Sequence, residues 1–186
     1  MGKRAEQMAE TRQRITEAAM RLHTTVGPAS TTITAVADQA GVTRVTVYKH
    51  FPDEEQLFLA CSAHWASLHP PPDPARWAEI ASWEPRVRHA LDDLYGWYDS
   101  NHTDLFPILR DFEAMPEAFR ENMTALFAEY GAALVRGSGA RGRRRDRLSA
   151  VAGVVTSFWT WRTVVIQHSL TTEEAAIVAS AIVLGV

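Results

Sequence analysis

The chain has a single cysteine, Cys61, among its 186 residues. No intrachain disulfide is possible and no C-x-x-C metal or redox pair exists, so a reducing cytoplasm is the expected setting. Long apolar runs are also missing. The longest uncharged apolar stretch is 175–186, well short of the roughly 20 residues a membrane helix needs, and no membrane role is expected. The first residues are polar, with no apolar segment after Lys3 and Arg4, so no signal peptide is expected. Apolar and polar residues never alternate long enough to argue for a sheet. G-x-S-x-G, H-E-x-x-H and phosphate-binding glycine loops are all absent, and no nucleophile stands in context with a base, which argues against an enzyme. Seven histidines are present, but His64 and His69 are five apart, a spacing that suits neither helical pairing of two ligands. No metal and no cofactor is expected.

What is present is asymmetric. Residues 1–50 hold seven Lys/Arg against four Asp/Glu, a net of +3; with −3 overall, the rest of the chain carries −6. A basic head on an acidic body suits a protein that places one end on a phosphate backbone, although chance alone produces swings of this size.

The apolar spacing is helical nearly throughout. Ile15, Ala18, Ala19 and Leu22 mark a helix over 10–26, stopped by Gly27–Pro28. Short helices follow over 32–40 and 43–50, with a turn at Gly41. Asp53 is the expected N-cap of a helix to Leu68, with Gln56 completing a capping box. Pro70, Pro71, Pro72 and Pro74 then impose an extended break. Further helices are predicted over 85–100, 107–112 and 116–136, each with proline in its first turn. The buried face of the third carries Phe119, Met123, Phe127, Tyr130 and Leu134. Residues 137–147 (GSGARGRRRDR) form a loose basic connector, and two helices, 147–168 and one capped by Thr171 with Glu174, close the chain. The last is apolar all round, so it is either wholly buried or meets a second subunit. Small residues on it and at Ala150, Ala152 and Gly153 favour close approach of a second copy, a homodimer through the last two helices.

Function is written in residues 31–51, TTITAVADQAGVTRVTVYKHF. A helix-turn-helix needs a small residue where its helices cross and a glycine four positions later in the turn; Ala37 and Gly41 meet this. Ile33, Val36, Ala40, Val42 and Val47 pack the pair, and Gly41 is expected at positive φ. The second helix is left with Thr43, Arg44, Val45, Thr46, Tyr48, Lys49 and His50 for its outer faces, a set of donors, cations and methyls suited to the major groove.

The run from Arg14-Ile15-x-x-Ala18-Ala19-x-x-Leu22 through Gly27, Thr31-Thr32-Ile33-x-x-Val36-Ala37-x-x-Ala40-Gly41-Val42-Thr43-x-x-Thr46-Val47-Tyr48-x-x-Phe51-x-x-x-Glu55-x-Leu57 resembles the N-terminal signature of the TetR/AcrR family of transcription regulators. The likeness covers residues 12–60, about a quarter of the chain. It implies an all-α chain: a three-helix DNA-binding domain over 1–52, then a helical ligand-sensing and dimerisation domain over 53–186, linked by the helix 53–68. It also implies operator DNA as partner, with Thr32, Tyr48 and His50 on phosphates, Lys49 on phosphate or a base edge, and Arg44, Val45 and Thr46 reading bases beside Thr43. Two positions depart from the pattern. Val45 stands where the family has a small residue, so it either meets a thymine methyl or pushes the helix outward. Glu54 stands where the family has a phosphate-contacting lysine; it repels phosphate while suiting a helix N-terminus, so no phosphate role passes to it and operator anchoring is expected to be weaker or different.

The resemblance further implies a pocket for an unknown small-molecule effector after the proline break. Its candidate lining is Trp97, Tyr98, Phe106, Phe112, Phe127, Trp159 and Trp161, although any one of these is more often an ordinary core aromatic. Arg162 is suited to an acid or an anionic ligand. Eight acids between Asp92 and Glu121, against Arg110 and Arg120, suit either a lipophilic cation near the tryptophans or a solvated face. The expected activity is repression relieved by the effector; the competing reading keeps the DNA binding but places it under a protein partner, or under no ligand at all.

Overall fold

The computed structural model describes residues 2–186, and its elements are all helical, with no strand among the described residues. It divides into two compact units. The first contains the described residues up to Pro70 together with His102–Arg120, and the second contains Pro71–Asn101 and Glu121–Val186.

In the first unit, α1 (Gly2–Thr25) packs against α2 (Ile33–Ala40) and α4 (Glu54–Leu68), with α3 (Arg44–His50) against α2. The helix predicted from residue 10 begins at Gly2. Residues 2–9 are exposed helix formers without an apolar stripe, so periodicity does not detect them although propensity favours the extension. Ile15, Ala18, Ala19, Ile33, Val36, Ala37, Ala40 and Val47, which the helical spacing assigned to the core, form one cluster with Phe51, Leu57 and Cys61, while Leu22 and Val42, also expected there, are partly buried against it. The starts of α2, α3 and α4 are each satisfied by a side chain. Thr32 accepts from Ala35 N–H, Thr43 from Thr46 N–H and Asp53 from Gln56 N–H. The capping box predicted at Asp53 is only half made, because Gln56 Nε2 donates to Asp53 Oδ2 at 2.8 Å rather than accepting from the backbone.

The second unit has α5 (Pro74–Ala78), the early part of α6 (Trp83–Arg110), most of α7 (Glu117–Val135), α8 (Gly142–Val155), α9 (Phe158–Arg162), a π-helical turn over Thr163–Gln167 and α10 (Thr172–Leu184). Trp77, Val87, Leu91, Leu94, Tyr95, Tyr98, Tyr130, Leu134, Leu148, Phe158, Trp161 and Val183 fill its interior. Arg86 is buried with them, and its guanidinium is satisfied by backbone, donating to the carbonyls of Ile80, Ala81 and Arg136 at 2.6–3.1 Å.

Three further boundaries differ from expectation. Pro107 does not start a helix but lies inside α6, three residues from its end. So close to the terminus its lost donor removes one ladder bond, and Asp111 N–H still reaches the Pro107 carbonyl at 3.3 Å. The basic connector is shorter than predicted, because α8 already begins at Gly142. The single helix predicted over 147–168 is broken at Thr156–Ser157. Thr156 Oγ1 turns back onto the Ala152 carbonyl, Ser157 caps α9 by accepting from Trp159 N–H, and the hydroxyls of Tyr95 and Tyr98 donate to the carbonyls of Val155 and Thr156 at 2.8 and 2.7 Å. Two tyrosines therefore take up the carbonyls that the break leaves open. No helix among the described residues is long and apolar enough to cross a membrane.

Candidate nucleic-acid interface

The candidate surface is built outward from Val47, which is fully buried and fixes the rotation of α3. Burying that side chain contributes about 2 kcal/mol. With Val47 inward, Thr43, Arg44, Val45, Tyr48 and Lys49 are exposed, and Thr46 and His50 are half-buried. Val45, at 64% exposure, stands clear of the core as one of the more exposed large apolar side chains of the first unit. Thr43 and Thr46 share a 3.0 Å hydroxyl contact at the helix start, so the first turn of α3 is held before any ligand arrives. Thr32 is exposed as the cap of α2. All eight candidate DNA-contacting residues thus lie on α3, its cap, or the cap of the helix preceding it.

Gly41 ends α2 in the left-handed conformation, φ 64°, as its position predicted. Its N–H bonds the Ala37 and Asp38 carbonyls, and an added Cβ would meet nothing within 4 Å. The requirement for glycine is therefore torsional rather than steric.

At the far end of α3, Arg12 Nη1 donates to the His50 carbonyl. A cation at a helix C-terminus is favoured by the exposed carbonyls there. Sequence reasoning missed Arg12, because its partner is 38 residues away and nothing local marks the pairing. Glu54 and Glu55 are exposed in the first turn of α4, consistent with the electrostatics of a helix N-terminus. An open cavity of about 330 Å³ also lies in this unit, with Thr32, Ile33, Glu54, Phe58 and Met115 in its walls. It was not legible beforehand because three distant segments enclose it.

Beside the core, His23 Nδ1 lies 3.3 Å from Cys61 Sγ, and the thiol also donates to the Phe58 carbonyl at 3.1 Å. Burial lowers His23 to about 4 and pushes the Cys61 thiol up to about 12. Both groups are neutral at physiological pH.

The aromatic candidates separate. Phe106 and Phe112 belong to the first unit and are half-buried. Trp97, Tyr98, Phe127, Trp159 and Trp161 belong to the second. Tyr98 packs its ring against Trp97, Phe158 and Trp161 at centroid distances of 5.5–6.1 Å. Tyr98 and Trp161 are fully buried, Trp97 and Phe127 are half-buried, and Trp159 is exposed. Arg162 is half-buried at the end of α9. Of the eight acids, Asp93 accepts from Trp77, Asp104 from Trp65 and Asp111 from Ala29 N–H, while Glu113 pairs with Arg120 at 3.0 Å. No group of three or more metal-ligating side chains occurs among the described residues.

Comparison with known proteins agrees with this geometry. Residues 15–61 match the family model of bacterial regulatory proteins of the tetR family. The chain is 44% identical over 59 residues to the HTH-type transcriptional regulator AcrR of Shigella flexneri. That match spans 31% of this chain and 27% of the relative's length. The fold is similar to the crystal structure of the TetR family transcriptional regulator PfmR from Thermus thermophilus, with a TM-score of 0.63 and 18% identity over 91% of this chain and 97% of that one. Residues 15–61 are thus similar to bacterial regulatory proteins of the tetR family, and the fold of nearly the whole chain is similar to that of a solved TetR family regulator.

Proposed function

We propose that the protein is a sequence-specific DNA-binding transcription regulator and not an enzyme, acting as a homodimeric repressor on operator DNA. The observation that carries the reading is the outward face of α3, where Arg44, Val45, Tyr48 and Lys49 stand exposed around the buried Val47. Arg44 is the guanine reader, Val45 offers its methyls to thymine, and Thr32, Tyr48, Lys49 and His50 hold phosphates. DNA anchoring at the start of α4 is forgone, since Glu54 is an acid there. The domain reading that accompanies this is a DNA-binding head over 1–52 and a sensing and dimerisation part over 53–186, with 53–68 between them.

Control by a small molecule draws support from the aromatic density of the second unit, in which Trp97, Phe127 and Trp159 keep some accessible surface. The competing reading, a regulator governed by a protein partner or by no ligand, is favoured by the packing of Tyr98 and Trp161, which are filled in on every side. Binding of the purified protein to the DNA flanking its own gene, at several salt concentrations with random duplex as competitor, tests the regulator reading. Competitor-resistant binding supports it. Binding that random DNA abolishes equally well defeats it.

A further inference from the structure

The end of α6 holds the turn that leads into the reading helices. Arg110, its last residue, donates from Nη2 to the Val26 carbonyl at 2.9 Å, and Asp111 Oδ2 accepts from Ala29 N–H at 3.1 Å. The two side chains are joined by a fork, Nε to Oδ1 at 2.7 Å and Nη2 to Oδ2 at 3.0 Å. The pair therefore brackets Gly27 and Pro28 from both sides. Gly27 has φ 95°, and a Cβ on it would overlap Asp111 Oδ2 and Arg110 Nη2. From the bracketed turn, Thr31 Oγ1 donates back to the Gly27 carbonyl at 2.9 Å, and the next residue is Thr32, the cap of α2. Hydrogen bonds thus run from the end of α6 to the residue before the cap of the helix-turn-helix. The Asp111 side chain is only 9% exposed, so the ion pair is shielded from solvent on that side. The Arg110 guanidinium holds the Asp111 carboxyl below the usual carboxylate range.

We propose that Arg110 and Asp111 are positioning residues for DNA recognition: they clasp the α1–α2 turn in the register that presents α2 and α3 to DNA. This rests on the regulator reading above. The bonds are directional and short, so a displacement of the end of α6 by an ångström or two breaks both of them together.

Charge makes the test discriminating. Removing the Asp111 carboxylate takes away negative charge, and simple electrostatics then predicts tighter binding to any DNA. The clasp predicts the opposite on a cognate site. Duplexes are enriched by the full-length wild-type protein from a random pool, and affinities for an enriched and a random duplex are measured for Asp111→Asn and Gly27→Ala. Amide exchange is followed in the free proteins. Both variants are expected to bind the enriched duplex about tenfold more weakly, with random-duplex binding unchanged or slightly tighter for Asp111→Asn, and to exchange faster across 29–50. Gly27→Ala alters no charge and attacks the clasp from the other side, while Asp111→Asn keeps the side-chain shape and so guards against simple misfolding. Equal or tighter binding of the enriched duplex by Asp111→Asn overturns the proposal, as does unchanged exchange across 29–50. If the wild type enriches no duplex, the regulator reading fails and exchange alone decides the clasp.

Discussion

Arg12 and Phe51 are stacked: the guanidinium carbon lies 4.0 Å from the centroid of the Phe51 ring, while the same side chain bonds the His50 carbonyl. One residue of α1 thereby closes the C-terminal end of α3. The charge-assisted bond and the cation–π contact together contribute about 2 kcal/mol to the head. Arg12→Ala is expected to lower the stability of the head in urea by that amount, and Arg12→Lys to recover part of it, since an ammonium keeps the charge but not the planar stack. An unchanged urea midpoint in Arg12→Ala defeats the assignment.

Arg44 and Lys49 are predicted to fail differently. Both are exposed on α3, but a base reader discriminates and a phosphate contact does not. Arg44→Ala should lose about 1–3 kcal/mol on the cognate duplex and little on random DNA. Lys49→Ala should weaken both alike and reduce the slope of affinity against log salt by about one. Competition titrations over a range of salt concentrations separate the two; equal losses on cognate and random DNA for Arg44→Ala would remove it from base reading.

The head should lose stability in acid through His23. Its ring is neutral in the fold, with protonation deferred to about pH 4 by burial, whereas the unfolded chain protonates near 6.5. The unfolded state therefore binds a proton first. The contribution is fully present above pH 6.5 and is lost as pH falls toward 4, by an amount on the order of 2–3 kcal/mol. His23→Phe should flatten that part of the stability profile. If wild type and variant have the same slope between pH 6.5 and 4, another group is responsible. The neighbouring thiol is predicted to resist alkylation until the head unfolds, because Cys61 is held in its protonated form.

Tyr98 closes the carbonyl of Thr156 at the α8–α9 break, and Tyr95 closes that of Val155. Removing either hydroxyl leaves a buried acceptor unmet, which costs about 1–3 kcal/mol. Tyr98→Phe and Tyr95→Phe are each expected to lower the thermal midpoint measurably, and the double variant to exceed either alone. A neutral Tyr98→Phe would indicate that the break closes by other means.

The head was readable from the residues alone because its core repeats at helical spacing within a short stretch of chain. Each of its later helices also begins with a Thr or Asp that caps it; Thr32, Thr43 and Asp53 all do so. Gly41 was readable for its torsion. Gly27 was readable only as a helix stop, since the crowding around it comes from Arg110 and Asp111, far along the chain. The break at Thr156 carries no proline or glycine, and it exists because tyrosines on another helix reward it. The aromatic candidates could not be sorted by pattern, since Tyr98 and Trp97 are adjacent in sequence yet one is sealed in and the other is not. Burial of that kind is decided by neighbours distant in sequence.

The dimer proposed above makes a further demand on α10. Ala175, Ala176, Ala179, Ser180 and Val183 face inward, and the opposite side carries Ile177 at 54%, Val178 at 40% and Ile182 at 48% exposure. These positions are one, four and five residues apart, so they share a face. Val154 on α8 is likewise 61% exposed. A contiguous apolar face of this kind is costly in water and normal in a subunit contact. Ile177→Glu with Ile182→Glu should therefore leave the helical content and the core of the chain intact, because neither side chain is part of it, while converting the dimer to monomers by light scattering. A monomer presents one reading head instead of two. Its affinity for a two-half-site operator should then fall by roughly a hundredfold or more, while binding to a single half-site is nearly unchanged. A double variant that still sediments as a dimer would place the subunit contact elsewhere.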